Sequence, residues 1–154
     1  MLSSGSKSSG SPKDSELVAR RVARITFGLY ASPAYRHRLK AGDRPAFIGF
    51  DEESDFIAEA AWLSRRFGDR RFSFRTTSQT TQAVAARAGY GVALLPRYVA
   101  ADDRGLVQVS LGERLPERDV WLLIRRDLTK VPRVRAVADY LIDVFRRERR
   151  LLAG

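Results

Sequence analysis

Ala88-Gly89-Tyr90-Gly91-Val92-Ala93-Leu94-Leu95-Pro96 joins the end of a small-residue helix to two close glycines, a four-residue apolar run and a proline, without a spacer. Gly89 supplies the left-handed residue that ends an Ala-rich helix, and Gly91 frees the chain to reverse direction. Residues 92–95 are short and apolar enough for a strand covered on both faces, and Pro96 stops it. Such strands belong to α/β proteins, where ligands gather at helix N-termini and the C-terminal ends of strands.

Working outward, the polar run Thr77-Ser78-Gln79-Thr80-Thr81 opens the Ala-rich helix, and Phe72-Ser73-Phe74-Arg75-Thr76 before it alternates as a strand. Ala46-Phe47-Ile48-Gly49-Phe50 is a second buried strand, closed by the acidic turn Asp51-Glu52-Glu53. A helix beginning near Ser54 or Asp55 then places Phe56, Ala60, Leu63 and Phe67 in one apolar stripe before Gly68. Further upstream, Ile25, Phe27 and Leu29 alternate within a strand over residues 22–30. Ser32-Pro33 pairs an N-cap with proline at the first helical position, predicting a short helix to Lys40 ended by Gly42. Its start offers a second polar cradle, expected near the first.

Downstream, residues 97–101 make one helical turn, and residues 106–109 and 120–124 are strands. From about residue 132 to 152, Val134, Val137, Ala138, Leu141, Ile142 and Phe145 fall on one helical face, with arginines on the other. The alternation of strands and helices predicts an α/β sandwich with a largely parallel sheet, in one compact unit. Residues 1–16 hold seven serines and two glycines with almost nothing to bury, and are expected to be disordered. The folded unit is therefore placed at residues 17–154.

Composition narrows the function. A chain of 154 residues, 44% hydrophobic, suits one domain with a real core. The net charge of +10 admits acidic partners, yet most of the excess is arginine spread along the chain, the pattern of a solubilising surface. Absence of cysteine removes disulfides, thiolate metal sites and cysteine nucleophiles, and suits the cytoplasm. No apolar run approaches the ~18 residues of a membrane helix, so no membrane partner is expected.

Catalysis has little to work with. His37 is the only histidine, flanked by Arg36 and Arg38, and reads as a surface residue. No acid, base, nucleophile and orienting group can be assembled, so neither an enzyme, a metal nor a cofactor is expected. Asp51, Glu52 and Glu53 fan outward from a turn and read first as a helix-start signal. Gly89-Tyr90-Gly91 begins like a dinucleotide fingerprint but follows a helix and lacks the third glycine. A helix-turn-helix over residues 82–99 fails because Gly91 and Pro96 would interrupt its recognition helix. Residues 76–81 remain the most suggestive polar cluster: hydroxyls and free N–H groups at a helix start form a neutral cradle for a carboxylate, or simply a cap.

Taken in order, these segments resemble the effector-binding part of LysR-type transcriptional regulators. The resemblance is carried by residues 17–22 leading into Leu29-Tyr30-Ala31-Ser32-Pro33-Ala34-Tyr35, then Ile48-Gly49-Phe50-Asp51, Trp62-Leu63 and residues 83–96. It continues through Trp121-Leu122-Leu123 and Val131-Pro132-Arg133-Val134, covering about residues 17–152. It implies an α/β sandwich of the periplasmic-binding-protein type II kind: one complete lobe, two crossover strands around Ile25 and Leu122, and a C-terminal helix. The family's N-terminal winged helix-turn-helix and the first half of its first lobe have no counterpart here, which implies a chain truncated at its N-terminus.

By that resemblance the chain senses a small polar or anionic effector, and DNA is reached only through the absent N-terminal domain. The positions matching the effector wall are Phe50, Asp51 and Glu52 after one strand, and Thr77, Ser78 and Gln79 at a helix start. The hydroxyls and amide are expected to hold the effector while Phe50 packs on its apolar part. The partners implied are the effector and either a second copy or a full-length relative. The alternatives are an interaction or dominant-negative fragment pairing with intact relatives, and a stand-alone solute-binding lobe.

Overall fold

The apolar run at residues 92–95 is the centre of the molecule. In a computed structural model, which describes residues 16–54, 57–68 and 70–154, Val92, Ala93, Leu94 and Leu95 are all fully buried. They form strand β4 (Val92–Pro96), entered from helix α3 (Gln79–Arg87). The glycines do what their positions require. Gly89, at φ 87°, closes α3 with amides of Gly89 and Tyr90 donating to the carbonyls of Ala86 and Ala85, the paired bonds of a Schellman end. Gly91 passes so near the Ala46 carbonyl oxygen that a Cβ would meet it at 2.5 Å.

Around β4 the sheet is ordered β3-β2-β4-β1-β5, with β6 pairing β1 beyond the main path. Its members are β1 (Leu17–Ala31), β2 (Phe47–Gly49), β3 (Phe72–Arg75), β5 (Val107–Val109) and β6 (Glu117–Arg125). β2 is parallel to β3 and β4, while β1 is antiparallel to β4, β5 and β6. Every strand except β1 therefore runs one way. The sheet expected to be largely parallel is a mixed one, because the chain enters the lobe along β1 from the end at which β2 and β4 leave it.

Helices cover both faces. Val92 and Leu94 face a core shared with Phe27, Leu29, Phe47, Leu63 and Phe67, under α1 (Pro33–Lys40) and α2 (Ala58–Phe67). Ala93 and Leu95 face a second core with Tyr30, Ile48, Ala83 and Ala86, under α3 and α4 (Arg97–Ala100). Period-two alternation along one strand thus feeds two cores, each buried leucine contributing ~1.5–3 kcal/mol. Phe47 stacks on Phe67 with centroids 4.3 Å apart. The stripe of α2 includes Ala60, Leu63 and Phe67 as expected, whereas Phe56 lies outside the described residues.

β1 is longer than its alternation indicated. Residues 17–26 pair with β6 as a two-stranded ribbon, and residues 27–31 lie in the lobe sheet between β4 and β5. β1 and β6 are the expected crossover strands. The C-terminal amphipathic segment divides into α5 (Pro132–Arg147) and α6 (Arg149–Ala153), with Glu148 between them. Of its apolar face only Ala138 is buried, and Val137 is 60% exposed.

Candidate functional site

The C-terminal end of β2 and the start of α3 meet through one buried side chain. Gln82, fully buried on α3, donates from Nε2 to the carbonyls of Gly49 (3.2 Å) and Thr76 (2.7 Å), while Thr76 N–H donates to Gly49 O at 3.0 Å. Gln82 Oε1 accepts from Gln79 Nε2 at 3.1 Å. This clamp sets residues 50–52 beside residues 77–79, and Thr77 Oγ1 donates to Asp51 Oδ2 at 3.4 Å. The two sequence segments singled out for the wall are therefore brought together.

Within the wall each residue has a distinct position. Ser78 is the N-cap of α3: its Oγ accepts from the Thr81 N–H at 3.2 Å and from the Thr81 hydroxyl at 3.0 Å. The Gln79 and Thr80 amides, in the first turn, have no acceptor four residues back within the helix, leaving a patch of donors at its positive end. Gln79 Oε1 is a buried acceptor with no partner among the described residues. Asp51 and Glu52 are exposed, with Glu52 opening a single 3₁₀ turn over Glu52–Ser54. Phe50 departs from expectation: its ring is buried in the core beneath, 5% exposed, so it forms the floor of the wall rather than a face for ligand. Its carbonyl accepts from Arg75 Nη1 at 3.2 Å, and that guanidinium lies over the Phe72 ring.

The second polar cradle falls elsewhere. Ser32 caps α1 through the Tyr35 N–H at 3.1 Å, but it lies beside Gly89, at the opposite end of the sheet from Thr77. Antiparallel β1 carries the chain to that far end, which sequence order alone does not reveal. His37 is exposed on α1, as its flanking cations indicated.

Sequence reasoning missed one polar contact between crossover and lobe. Glu59, in the first turn of α2 and 3% exposed, is ion-paired with Arg118 of β6. The signal was a carboxylate four residues before Leu63, on the apolar stripe. A cavity of about 690 Å³ lies away from the wall, between β1 and the C-terminal helices. No helix among the described residues is long and apolar enough to cross a membrane, and no group of three or more candidate metal ligands occurs among them.

A two-cored α/β lobe entered and left by paired crossover strands, with a polar wall at the C-terminal end of its parallel strands, has the architecture of one lobe of the periplasmic-binding-protein type II fold. The chain belongs to the LysR substrate binding domain family, whose match spans residues 8–146. Among solved structures, full-length LysG of Corynebacterium glutamicum with bound effector Arg is 18% identical with a TM-score of 0.62, over 84% of this chain and 46% of that one. The regulatory domain of Synechocystis CcmR in complex with 2-PG is 16% identical with a TM-score of 0.63, over 87% of this chain and 69% of that one. The regulatory domain of AphB from Vibrio vulnificus is 20% identical with a TM-score of 0.61, over 84% and 70%. This chain spans about half the length of the full-length regulator it matches. No match was found among curated protein sequences.

Proposed function

We propose that this chain is the effector-sensing part of a LysR-type transcription regulator, and that Asp51, Glu52, Thr77, Ser78 and Gln79 form its contact wall above a Phe50 floor. The observation that carries this is the Gln82 clamp, which holds the donor-rich start of α3 against the end of β2, with Asp51 3.4 Å from Thr77. A small metabolite carboxylate fits the first-turn amides of α3. Asp51 and Glu52 beside it favour a ligand that also carries a cationic group. The unpartnered Gln79 Oε1 supplies an acceptor for an N–H or O–H of that ligand.

A ligand preferring one arrangement of the wall relative to the crossover strands shifts that equilibrium by its differential affinity alone. In this reading the Glu59–Arg118 pair links lobe and ribbon across the point where such movement would occur. DNA contact belongs to other parts of a full-length regulator.

The test is a set of ¹H–¹⁵N spectra of this chain titrated with L-arginine, other amino acids and small phosphorylated or carboxylic acids, which reads even millimolar binding. Saturable shifts centred on the Gln79 side-chain amide and the Thr77, Ser78 and Thr80 backbone amides are expected for at least one amino acid. Gln79→Ala should remove them, and Asp51→Asn should weaken amino acids more than simple acids. Shifts confined to other surfaces, or unaltered in Gln79→Ala, overturn the assignment.

A second role, pairing with another copy or a full-length relative, is favoured by the ribbon. Trp121 and Leu123 on β6 are more than half exposed and lie in register with Arg21 and Ala19 of β1, an apolar strip on the same face.

A further inference from the structure

We propose that the arginine-lined groove between β1 and the C-terminal helices is a second ligand site, taking a phosphorylated organic anion with an apolar body. The groove encloses about 690 Å³, within the ~300–1,000 Å³ usual for small-molecule sites. Arg20, Arg21 and Arg24 line it from β1, and Arg146 and Arg149 from the C-terminal helices, against the single lining carboxylate of Glu117. None of the effector-wall residues takes part.

Three features of the fold bring these distant arginines together. The β1–β6 register shifts between Arg21 and Ala23, a bulge that re-aims successive side chains along the groove. The helical segment breaks at Glu148, so α6 turns back toward the strand. Thr26 then ties that end down, its Oγ1 donating to the Leu152 carbonyl at 3.3 Å.

The guanidinium groups are not equally committed. Arg24 reaches Glu117 (3.0 Å) and Asp119 (3.2 Å), Arg21 stands 3.6 Å from Asp119, and Arg146 pairs with Asp143. Among the described residues the Arg20 and Arg149 side chains enter no ion pair or hydrogen bond, and the two residues lie on opposite walls, one on β1 and one on α6. A dianionic phosphate, with three acceptor oxygens, satisfies two planar guanidinium forks at once in a way a single carboxylate cannot. Ile142, Phe145 and Leu152 give the groove an apolar side, which a bare inorganic anion or a duplex backbone would leave unused. A phosphate ester with an aromatic or aliphatic body uses both.

Isothermal titration of the full chain with ATP and with inorganic tripolyphosphate as probes tests this. The expected result is saturable one-site binding of ATP, weakened about tenfold or more by Arg20→Ala with Arg149→Ala. The double lysine variant, Arg20→Lys with Arg149→Lys, keeps the charge and should fall between the two. Phe145→Ala should weaken ATP more than tripolyphosphate. Removing the same charge elsewhere, by Arg65→Ala with Arg133→Ala, should leave affinity within about twofold. Equal weakening by that control pair, an absence of saturable heat, or a duplex oligonucleotide binding more tightly than ATP and insensitive to Arg20→Ala with Arg149→Ala each overturns the proposal. Spectral shifts at Gln79 report the effector wall separately, so either site can fail alone.

Discussion

Gly28 and Tyr30 show how one residue constrains its neighbour along β1. The Tyr30 ring lies across the position a Gly28 Cβ would take, which would meet its Cε2 at 2.5 Å. Held there, Tyr30 is buried against Ile48 and Leu95, and burial raises its phenol above the ordinary value of 10.0, with the Arg97 cation opposing the shift. The sign follows from proton linkage. Because the native phenol holds its proton more tightly than the unfolded one, stability is unaffected below about pH 10 and falls as pH rises through the native value. Tyr30→Phe should therefore lose less stability between about pH 8 and about pH 11 than the parent chain, measured as the shift in urea midpoint. Equal losses in the two proteins would show that the native Tyr30 phenol titrates like the unfolded one. Gly91 is constrained more severely: its φ of 156° and the Ala46 carbonyl oxygen both exclude a side chain.

At the scale of elements, the join between β2 and α3 rests on Gln82 rather than on apolar packing alone. A polar residue between Thr81 and Ala83 reads in sequence as an ordinary helix position, and only its place over the end of β2 makes it a clamp for two carbonyls. Gln82→Met keeps the volume and removes the amide. It should cost ~1–3 kcal/mol, because Thr76 O and Gln79 Nε2 lose their partner inside the protein. Chemical denaturation reads that loss directly, and a change below about 0.5 kcal/mol would mean that the clamp is dispensable. The start of α3 was legible because a hydroxyl-rich run after an alternating stretch can hardly be anything else. The full length of β1 was not, since residues 17–21 do not alternate and are held as a strand by pairing with β6.

For the molecule as a whole, the two-cored lobe contrasts with a ribbon and C-terminal helix that keep apolar surface in solvent. Trp121, Leu123, Val137 and Tyr140 are each between 54% and 64% exposed, apolar surface of the kind on which the proposed pairing would draw. Trp121→Thr with Leu123→Thr retains strand-favouring residues, and should shift the chain toward monomer in sedimentation velocity at raised concentration. An unchanged distribution would remove the ribbon as a contact surface. The amino-acid order by itself determined the two-sided strand at residues 92–95, the glycine turn before it, the cap of α3 and the family likeness, because each depends on periodicity or a local backbone requirement. Tertiary structure alone decided that β1 opposes every other strand, that the Ser32 cradle lies at the far end of the sheet from Thr77, and that the Phe50 ring is buried in the core. It also gathered Arg20 and Arg149 on one groove. These outcomes depend on strand direction and on contacts between residues far apart in the chain, which local patterns do not encode.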